Sequence, residues 1–219
     1  MALKKEEITR KLLHLFALLM PAGIFYLPRM QFSYAYPVGI LAFLLGGSIV
    51  VESLRFRIPA VQKMFFSFFG HLLRQEESSK TTGSTYVIAA ALLCSILFIN
   101  QRHIAFMVLF LFILGDAIAA IVGLSMGRIK IGNKSLEGSA ACFLLCMALM
   151  YGVFPHLPGI LDPWNGTVPF IMALAASLSI TVFELFPLKI TRNFVINDNL
   201  AVPVITGAIL MWLESVMGF

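Results

Sequence analysis

Residues 113–143 read ILGDAIAAIVGLSMGRIKIGNKSLEGSAACF, an apolar run containing one acid, Asp116, followed by a basic, glycine-rich loop and a second apolar run. An unpaired carboxylate in hydrocarbon costs several kcal/mol or changes its protonation state. We therefore expect Asp116 to have a partner or a chemical role, supplied by the fold around this stretch.

The rest of the chain is similarly apolar. Of its 219 residues, 59% are hydrophobic and 12% are charged, whereas about a quarter of the residues in a soluble domain are charged. Segments of about 17 to 22 mostly apolar residues recur, which is the length that a helix needs to cross about 30 Å of hydrocarbon. The sequence predicts an all-α, polytopic membrane helix bundle, with residues 1–219 forming a single integral membrane domain.

We expect about seven transmembrane helices, separated by Pro, Gly and polar clusters. The predicted spans are residues 10–28, 33–53, 83–100, 103–124, 138–155, 167–187 and 200–217.

Residues 58–74, IPAVQKMFFSFFGHLLR, predict an additional amphipathic helix. Apolar residues recur there at helical spacing, and polar residues interrupt the run. The apolar positions are Val61, Met64, Phe65, Phe68, Phe69 and Leu72. We expect this helix to lie in the cytosolic membrane interface, either as a packing element or beside an entrance for a lipid substrate.

The basic residues predict the orientation of the bundle. With the N-terminus in the cytosol, the outside loops hold Arg29 and Arg102, and the other 14 of the 16 Lys and Arg residues are inside. This positive-inside bias predicts a cytosolic N-terminus and an external C-terminus, in the inner membrane if the source is bacterial. It explains the net charge of +5 without a nucleic-acid partner.

Several acids and bases fall at the cytosolic ends of different spans. The acids are Glu52, Asp116, Glu184 and Asp198, and the bases are Arg10, Lys11, Arg128, Lys130 and Lys134. Each alone has a structural explanation, as interhelical contact, interfacial anchor or ion pair. His14 follows Lys11 by one turn and could reach the same region or pack as a hydrogen-bonded histidine. Together they predict a polar site at the cytosolic face.

This combination suits transfer of a phosphate-containing group. A nucleoside triphosphate needs a divalent ion held by one or two carboxylates, and Lys, Arg or backbone N–H groups around its phosphates. Gly123, Gly127 and Gly132 would let the backbone approach a phosphate, and Asn133 or Ser135 could cap a helix whose N-terminus faces an anion. Lys134 and Ser139 would add a charge and a hydroxyl. The spacing is neither a Walker loop nor a Rossmann fingerprint.

The same residues resemble the signature of the CTP-dependent lipid kinases, which act on dolichol, phytol or diacylglycerol. The central motif is Gly115-Asp116, Ala119, Gly123, Gly127, Lys130, Lys134-Ser135 and Glu137-Gly138-Ser139. Further matches are Arg10-Lys11 with His14, Glu52 with Arg55, Gly83, Thr85, Glu184, Asp198-Asn199 and Pro203. The resemblance spans nearly the whole chain.

The resemblance implies transfer of the terminal phosphate of CTP to a membrane lipid alcohol with Mg²⁺ or another divalent cation. It implies catalytic roles for Asp116, Asp198 and Lys134, and metal binding by Asp116, Glu184 and Asp198. The implied nucleotide and phosphate ligands are Arg10, Lys11, Gly123, Gly127, Arg128, Lys130, Lys134, Ser135, Gly138, Ser139 and Asn199. The implied supporting residues are His14, Glu52 and Glu137. Asp116 and Asp198 are both candidates for the base.

This sequence departs from some relatives, which carry a second acid shortly after the Gly-Asp pair. Here that helix has Ala119 and Ala120, so any second carboxylate ligand must come from another helix.

Two other functions would share some of these features. The related phosphatidate cytidylyltransferases have a similar Gly-Asp helix but end in a glycine-rich signature with paired aspartates, whereas residues 189–203 read KITRNFVINDNLAVP. A membrane transporter would also carry polar residues within helices. Transporters commonly have inverted repeats and a midplane site, whereas no repeat is visible here and the acids gather at one face.

Overall fold

The computed structural model describes residues 15–70, 79–186, 188–191 and 194–219, with the backbone alone at 189–191 and 194–195. Eight α-helices lie within these ranges. They are α1 (Leu19–Arg29), α2 (Ala35–Arg57), α3 (Pro59–Phe69), α4 (Gly83–Leu97), α5 (Arg102–Ser125), α6 (Leu136–Gly152), α7 (Phe170–Leu185) and α8 (Asp198–Met217). Short 3₁₀ helices cover Leu15–Leu18, Phe154–His156 and Asp162–Trp164. The all-α fold class is confirmed.

Two small antiparallel hairpins join helices. In the first, β1 (Lys130–Ile131) pairs with β2 (Lys134–Ser135), with Lys130 opposite Ser135. Its turn includes Gly132 with φ of +60°, a left-handed conformation that glycine adopts without strain. In the second, β3 (Lys189–Thr191) pairs with β4 (Phe194–Val195). The hairpins connect α5 to α6 and α7 to α8, so two polar connecting segments lie at the same end of the bundle.

Four segments of the described chain are long and apolar enough to cross a membrane. They are Ala35–Arg57, Arg102–Ser125, Leu136–His156 and Asp198–Met217. The other three predicted spans are also helical and apolar, but the segments Leu15–Arg29, Gly83–Leu97 and Phe170–Leu185 are shorter. Seven transmembrane helices are therefore not confirmed. The predicted amphipathic helix is present as α3, and its predicted continuation over residues 71–74 lies outside the described residues.

Helix α5 forms the centre of the bundle. It is apolar around its whole circumference, as expected of a helix surrounded by others, and most of its residues are buried. It packs against α1, α6 and α8. At Gly115 the contact with α6 is so close that an added Cβ would lie 2.8 Å from Cys142 Sγ. This packing places the neighbouring Asp116 within the bundle.

The bundle has a polar cluster at each end. At one end, Glu214 of α8 accepts hydrogen bonds from Trp164 Nε1 at 2.8 Å and pairs with His103 Nε2 at 2.7 Å. Arg29 and Asp162 form an exposed ion pair at 2.6 Å near the same loop. The ends of α2 and α7 and the beginnings of α4 and α8 meet at the opposite end, with Glu52, Glu184 and Asp198. That second end is the candidate site.

Candidate functional site

Lys134 is held by two carboxylates from different helices. Its Nζ lies 2.7 Å from Glu184 Oε1, near the C-terminal end of α7, and 3.0 Å from Asp198 Oδ2, at the first residue of α8. It also donates to the backbone carbonyl of Glu184. Hairpin β1–β2, which carries Lys134 on its second strand, is thereby fastened to the α7–α8 corner. Three of the predicted site residues therefore meet in space, although up to 64 positions separate them in sequence.

The environment of Lys134 keeps its ammonium charged. Burial would by itself lower the pKa of this lysine, but the carboxylates of Asp198 and Glu184 outweigh burial and raise the pKa above its ordinary value. About a quarter of the side chain is exposed. Lys134 is therefore a permanent cation at physiological pH, suited to neutralising phosphate charge rather than to accepting a proton.

Asp116 adjoins this cluster from α5. Its side chain is partly buried, and it is near enough to Glu184 for the two carboxylate charges to repel each other. Glu184 is 5% exposed, and its Oε2 has no hydrogen-bond partner among the described residues. Acids from α7 and α8 thus hold one lysine, and the acid from α5 interacts electrostatically with Glu184.

The glycines of the loop make room for protein atoms. A Cβ at Gly127 would lie 2.3 Å from Gly123 O and 2.6 Å from Ser135 Oγ, and one at Gly138 would lie 2.5 Å from Ala119 O. Ser135 is buried and caps α6, since its Oγ accepts the Gly138 N–H at 3.1 Å. The glycines allow this tight junction of α5 and α6, and their predicted contact with phosphate stays untested.

Other predicted ligands of this loop have partners within it. The Ser139 hydroxyl donates to Ser135 O at 3.1 Å and is buried. Glu137 accepts the Ile129 N–H at 3.1 Å, and Lys130 Nζ donates to Gly123 O at 3.1 Å. Arg128 is exposed. Glu137 and Lys130 therefore brace the hairpin, and their predicted roles towards a nucleotide stay predictions.

Glu52 lies in a separate buried cluster. Its Oε2 accepts from Arg55 Nε at 2.6 Å, and its Oε1 accepts from the Thr82 N–H at 2.9 Å and the Thr82 hydroxyl at 2.7 Å. The guanidinium of Arg55 also donates to Lys80 O at 2.6 Å. It lies over the ring of Phe65 at 4.9 Å, which ties α3 to α2. These contacts connect α2 to the segment before α4, and the supporting role predicted for Glu52 stays a prediction.

Asn199 joins the Glu52 cluster to the lysine cluster. Its Nδ2 donates to Gly83 O at 3.2 Å, at the beginning of α4, directly after Thr82. Because Asn199 follows Asp198 at the beginning of α8, this bond fixes α4 relative to the carboxylate that holds Lys134. The predicted residues Arg10, Lys11 and His14 lie outside the described residues.

The oxygen atoms of this site suit a divalent cation. Mg²⁺ prefers oxygen ligands and is commonly bound by one or two carboxylates together with substrate phosphates. Glu184 and Asp198 supply carboxylates, and Oε2 of Glu184 is buried without a partner among the described residues. In the described part of the chain, no three His, Cys, Asp or Glu side chains form a metal-binding group. Waters and substrate phosphate oxygens would complete the coordination, as is common for Mg²⁺.

Some polar contacts join residues that the sequence pattern does not connect. His103 is buried and paired with Glu214 at the opposite end of the bundle. The bonds of Thr82 to Glu52 and of Lys134 to the Glu184 carbonyl likewise have no counterpart in the sequence pattern. No periodicity links residues so far apart in the chain, so only the tertiary structure reveals these pairs.

Known proteins support a distant relationship to lipid kinases. No protein-family model matches the chain, and no solved structure matches it. An uncharacterised protein of Rickettsia prowazekii is 23% identical over 201 residues, covering 90% of this chain and 89% of the relative. The CTP-dependent diacylglycerol kinase 1 of Schizosaccharomyces pombe is 27% identical over 228 residues, covering 94% of this chain and 93% of the relative. A probable chloroplastic phytol kinase 1 of Glycine max is 32% identical over 136 residues, covering 58% of this chain and 42% of the relative.

Proposed function

We propose that the chain is a CTP-dependent lipid-alcohol kinase, which transfers the γ-phosphate of CTP to a membrane lipid hydroxyl with Mg²⁺ or a similar cation. The observation that carries the proposal is the meeting of Lys134, Glu184 and Asp198 at one end of an apolar helix bundle, with the charge of Asp116 acting on Glu184. Phosphoryl transfer requires mainly positioning and charge stabilisation, which a lysine and several carboxylates can supply. Distant homology to two named lipid kinases, one of them CTP-dependent, supports the same reaction.

The proposed reaction breaks the bond between the γ-phosphorus and the oxygen that bridges to the β-phosphate. The lipid oxygen bonds to that phosphorus, CDP leaves, and the hydroxyl proton passes to a carboxylate, Asp116 or Asp198. Lys134 neutralises phosphate charge, and a bound divalent cation would further offset the charge on the phosphate oxygens. A loose transition state requires little base assistance, so positioning by these residues is the main contribution.

The acceptor is proposed to be a lipid alcohol of the diacylglycerol, phytol or polyprenol type. Helix α3 supports access from the membrane, because Met64 and Phe68 are 58% and 65% exposed on it while Phe65 packs over Arg55. Exposed apolar side chains on a short amphipathic helix are typical of an interfacial position. The proposed site therefore lies at the cytosolic membrane interface, where a lipid hydroxyl and a soluble nucleotide can meet.

A panel of lipid alcohols crossed with CTP, ATP and GTP tests this function. Purified protein in lipid nanodiscs is incubated with Mg²⁺ and γ-labelled nucleotide, and the lipid products are separated. We expect label in a lipid monophosphate with CTP as the best donor, together with release of CDP. Absence of labelled lipid across the panel would contradict the proposal. Formation of a CDP-lipid from phosphatidate would instead favour a cytidylyltransferase, and flux of a solute across liposomes would favour a transporter.

A further inference from the structure

The ammonium of Lys134 is fully occupied in this structure. It has three N–H donors, and three oxygen atoms surround it: Glu184 Oε1, the Glu184 carbonyl and Asp198 Oδ2. No donor of Lys134 is therefore left for a phosphate in this arrangement. A nucleotide phosphate can bind this ammonium only after it gives up some of these contacts.

The same oxygen atoms are those predicted to bind the divalent cation. Glu184 and Asp198 cannot hold a metal ion where the ammonium already lies, since two cations a few Å apart repel strongly in a partly buried site. The predicted phosphate role of Lys134 and the predicted metal role of its partners thus conflict in the arrangement observed. An exchange of position resolves the conflict.

We propose that Lys134 is a tethered counterion that fills the cation position in the nucleotide-free protein, and that a nucleotide-bound divalent cation takes this position as the ammonium moves to phosphate. This inference rests on the proposed function and adds a mode of regulation. The carboxylates stay neutralised when no nucleotide is bound, and metal affinity is low until the nucleotide draws the lysine away.

The surroundings of Lys134 permit such an exchange. Its side chain is 25% exposed and that of Asp198 is 31% exposed, whereas that of Glu184 is 6% exposed, so solvent and a ligand can reach the lysine and Asp198 while Glu184 lies deeper. Lys134 lies on a two-residue strand and has a flexible four-carbon stem. The second oxygen of Glu184, Oε2, is buried with no partner among the described residues and is available as an additional ligand.

Binding of Mn²⁺ alone to the full-length protein tests the inference. Mn²⁺ affinity is measured by electron paramagnetic resonance, without nucleotide, for wild type, Lys134→Gln and Lys134→Ala in nanodiscs. Removing the competing positive charge is expected to tighten Mn²⁺ binding at least about tenfold. Lys63→Ala, which removes an exposed lysine on α3, is the matched control and should bind like wild type.

Lys134→Arg provides a second variant that keeps the charge and is expected to retain the packing. It should bind Mn²⁺ no more tightly than wild type. Size-exclusion chromatography and thermal unfolding establish that each variant is folded. Mn²⁺ should also raise the thermal unfolding midpoint of Lys134→Gln more than that of wild type. Wild-type affinity in the folded neutral variants, or equal tightening in Lys134→Arg, would overturn the inference.

A parallel kinase assay on wild type separates this inference from the proposed function. If wild type phosphorylates no lipid but the neutral variants gain Mn²⁺ affinity, the counterion role stands and the function falls. If wild type is active and the neutral variants gain no affinity, the counterion role falls alone.

Discussion

At the scale of single residues, Asp116 carries the sharpest prediction about activity. Changing Asp116→Asn keeps the size of the side chain and removes its charge. If Asp116 binds the metal or accepts the proton, lipid phosphorylation should fall by about 100-fold or more, while the protein still inserts and folds. Turnover with γ-labelled CTP measures the loss, and Asp162→Asn, an exposed carboxylate at the other end of the bundle, is the control. Wild-type turnover by Asp116→Asn would remove Asp116 from the site.

Lys134 yields a prediction about pH. Its pKa in the folded protein is raised, with burial opposing and the Asp198 and Glu184 carboxylates prevailing. Its contribution to stability is therefore complete below the unfolded lysine pKa of about 10.4 and is lost as pH rises through the folded value. The stability difference between wild type and Lys134→Met should stay constant from about pH 7 to 9 and shrink only above about 10.4. Thermal unfolding of both proteins across this pH range measures the stability difference. A decrease of that difference already between about pH 7 and 9 would contradict the raised pKa.

Arg55 is expected to be among the most costly polar side chains to remove. It is 1% exposed and paired with Glu52, which is 6% exposed. Changing Arg55→Ala leaves a buried carboxylate without its counterion, which typically costs about 3–5 kcal/mol. Denaturation in mixed detergent micelles measures the loss, and Arg57→Ala, an exposed arginine two positions later, should change stability little. Equal effects of the two substitutions would contradict a structural role of the buried ion pair.

The placement of polar residues at one end of the bundle could be predicted from the sequence, but their contacts could not. The grouping of Glu184, Asp198 and Lys134 at one end follows from ordering the apolar segments, because each lies at the end of one. That Lys134 contacts both acids depends on how the β1–β2 hairpin folds over the α7–α8 corner. Two-residue strands leave no periodic pattern, so this geometry was not predictable.

At the scale of elements, the close junction between α5 and α6 depends on glycines, which have no Cβ. Changing Gly127→Ala would place a Cβ 2.3 Å from the Gly123 carbonyl oxygen, a backbone atom that cannot move aside alone. We expect the free energy of unfolding to fall by about 1–3 kcal/mol, as is typical of overpacking. Gly46→Ala is the matched control, because its added Cβ meets nothing within 4 Å on α2 and alanine favours a helix. Thermal unfolding compares the two, and similar stability of both variants would contradict the tight junction.

The positions of the helices could be predicted from the sequence better than their exact ends and lengths. Each of the seven predicted spans overlaps a helix in the described chain, because apolar runs bounded by Pro, Gly and polar residues determine them. The ends differ because local contacts decide them: α6 begins at Leu136 rather than at residue 138, where Ser135 caps it. Helix α7 is 16 residues long rather than 21, since the second hairpin follows it closely.

At the scale of the whole molecule, the two ends of the bundle differ in charge and chemistry. The end with Lys134 also carries the exposed Arg57, Lys63, Arg128 and Lys130, whereas the other end carries Arg29 and Arg102. Charge asymmetry of this kind orients membrane proteins with the basic side in the cytosol. Cytosolic CTP would then reach the acids without crossing the bilayer, so orientation and proposed function are linked.

The orientation can be tested by labelling single introduced cysteines from one side of the membrane. Asn133→Cys lies in the turn of the β1–β2 hairpin and Thr167→Cys in the loop before α7, and both positions are exposed. The native Cys94, Cys142 and Cys146 are buried, so wild type provides the low-labelling control. With the basic end in the cytosol, a membrane-impermeant maleimide should label Thr167→Cys in intact cells and Asn133→Cys only after permeabilisation. The reverse pattern would place the lysine cluster outside, away from cytosolic nucleotide, and would contradict a kinase that uses it.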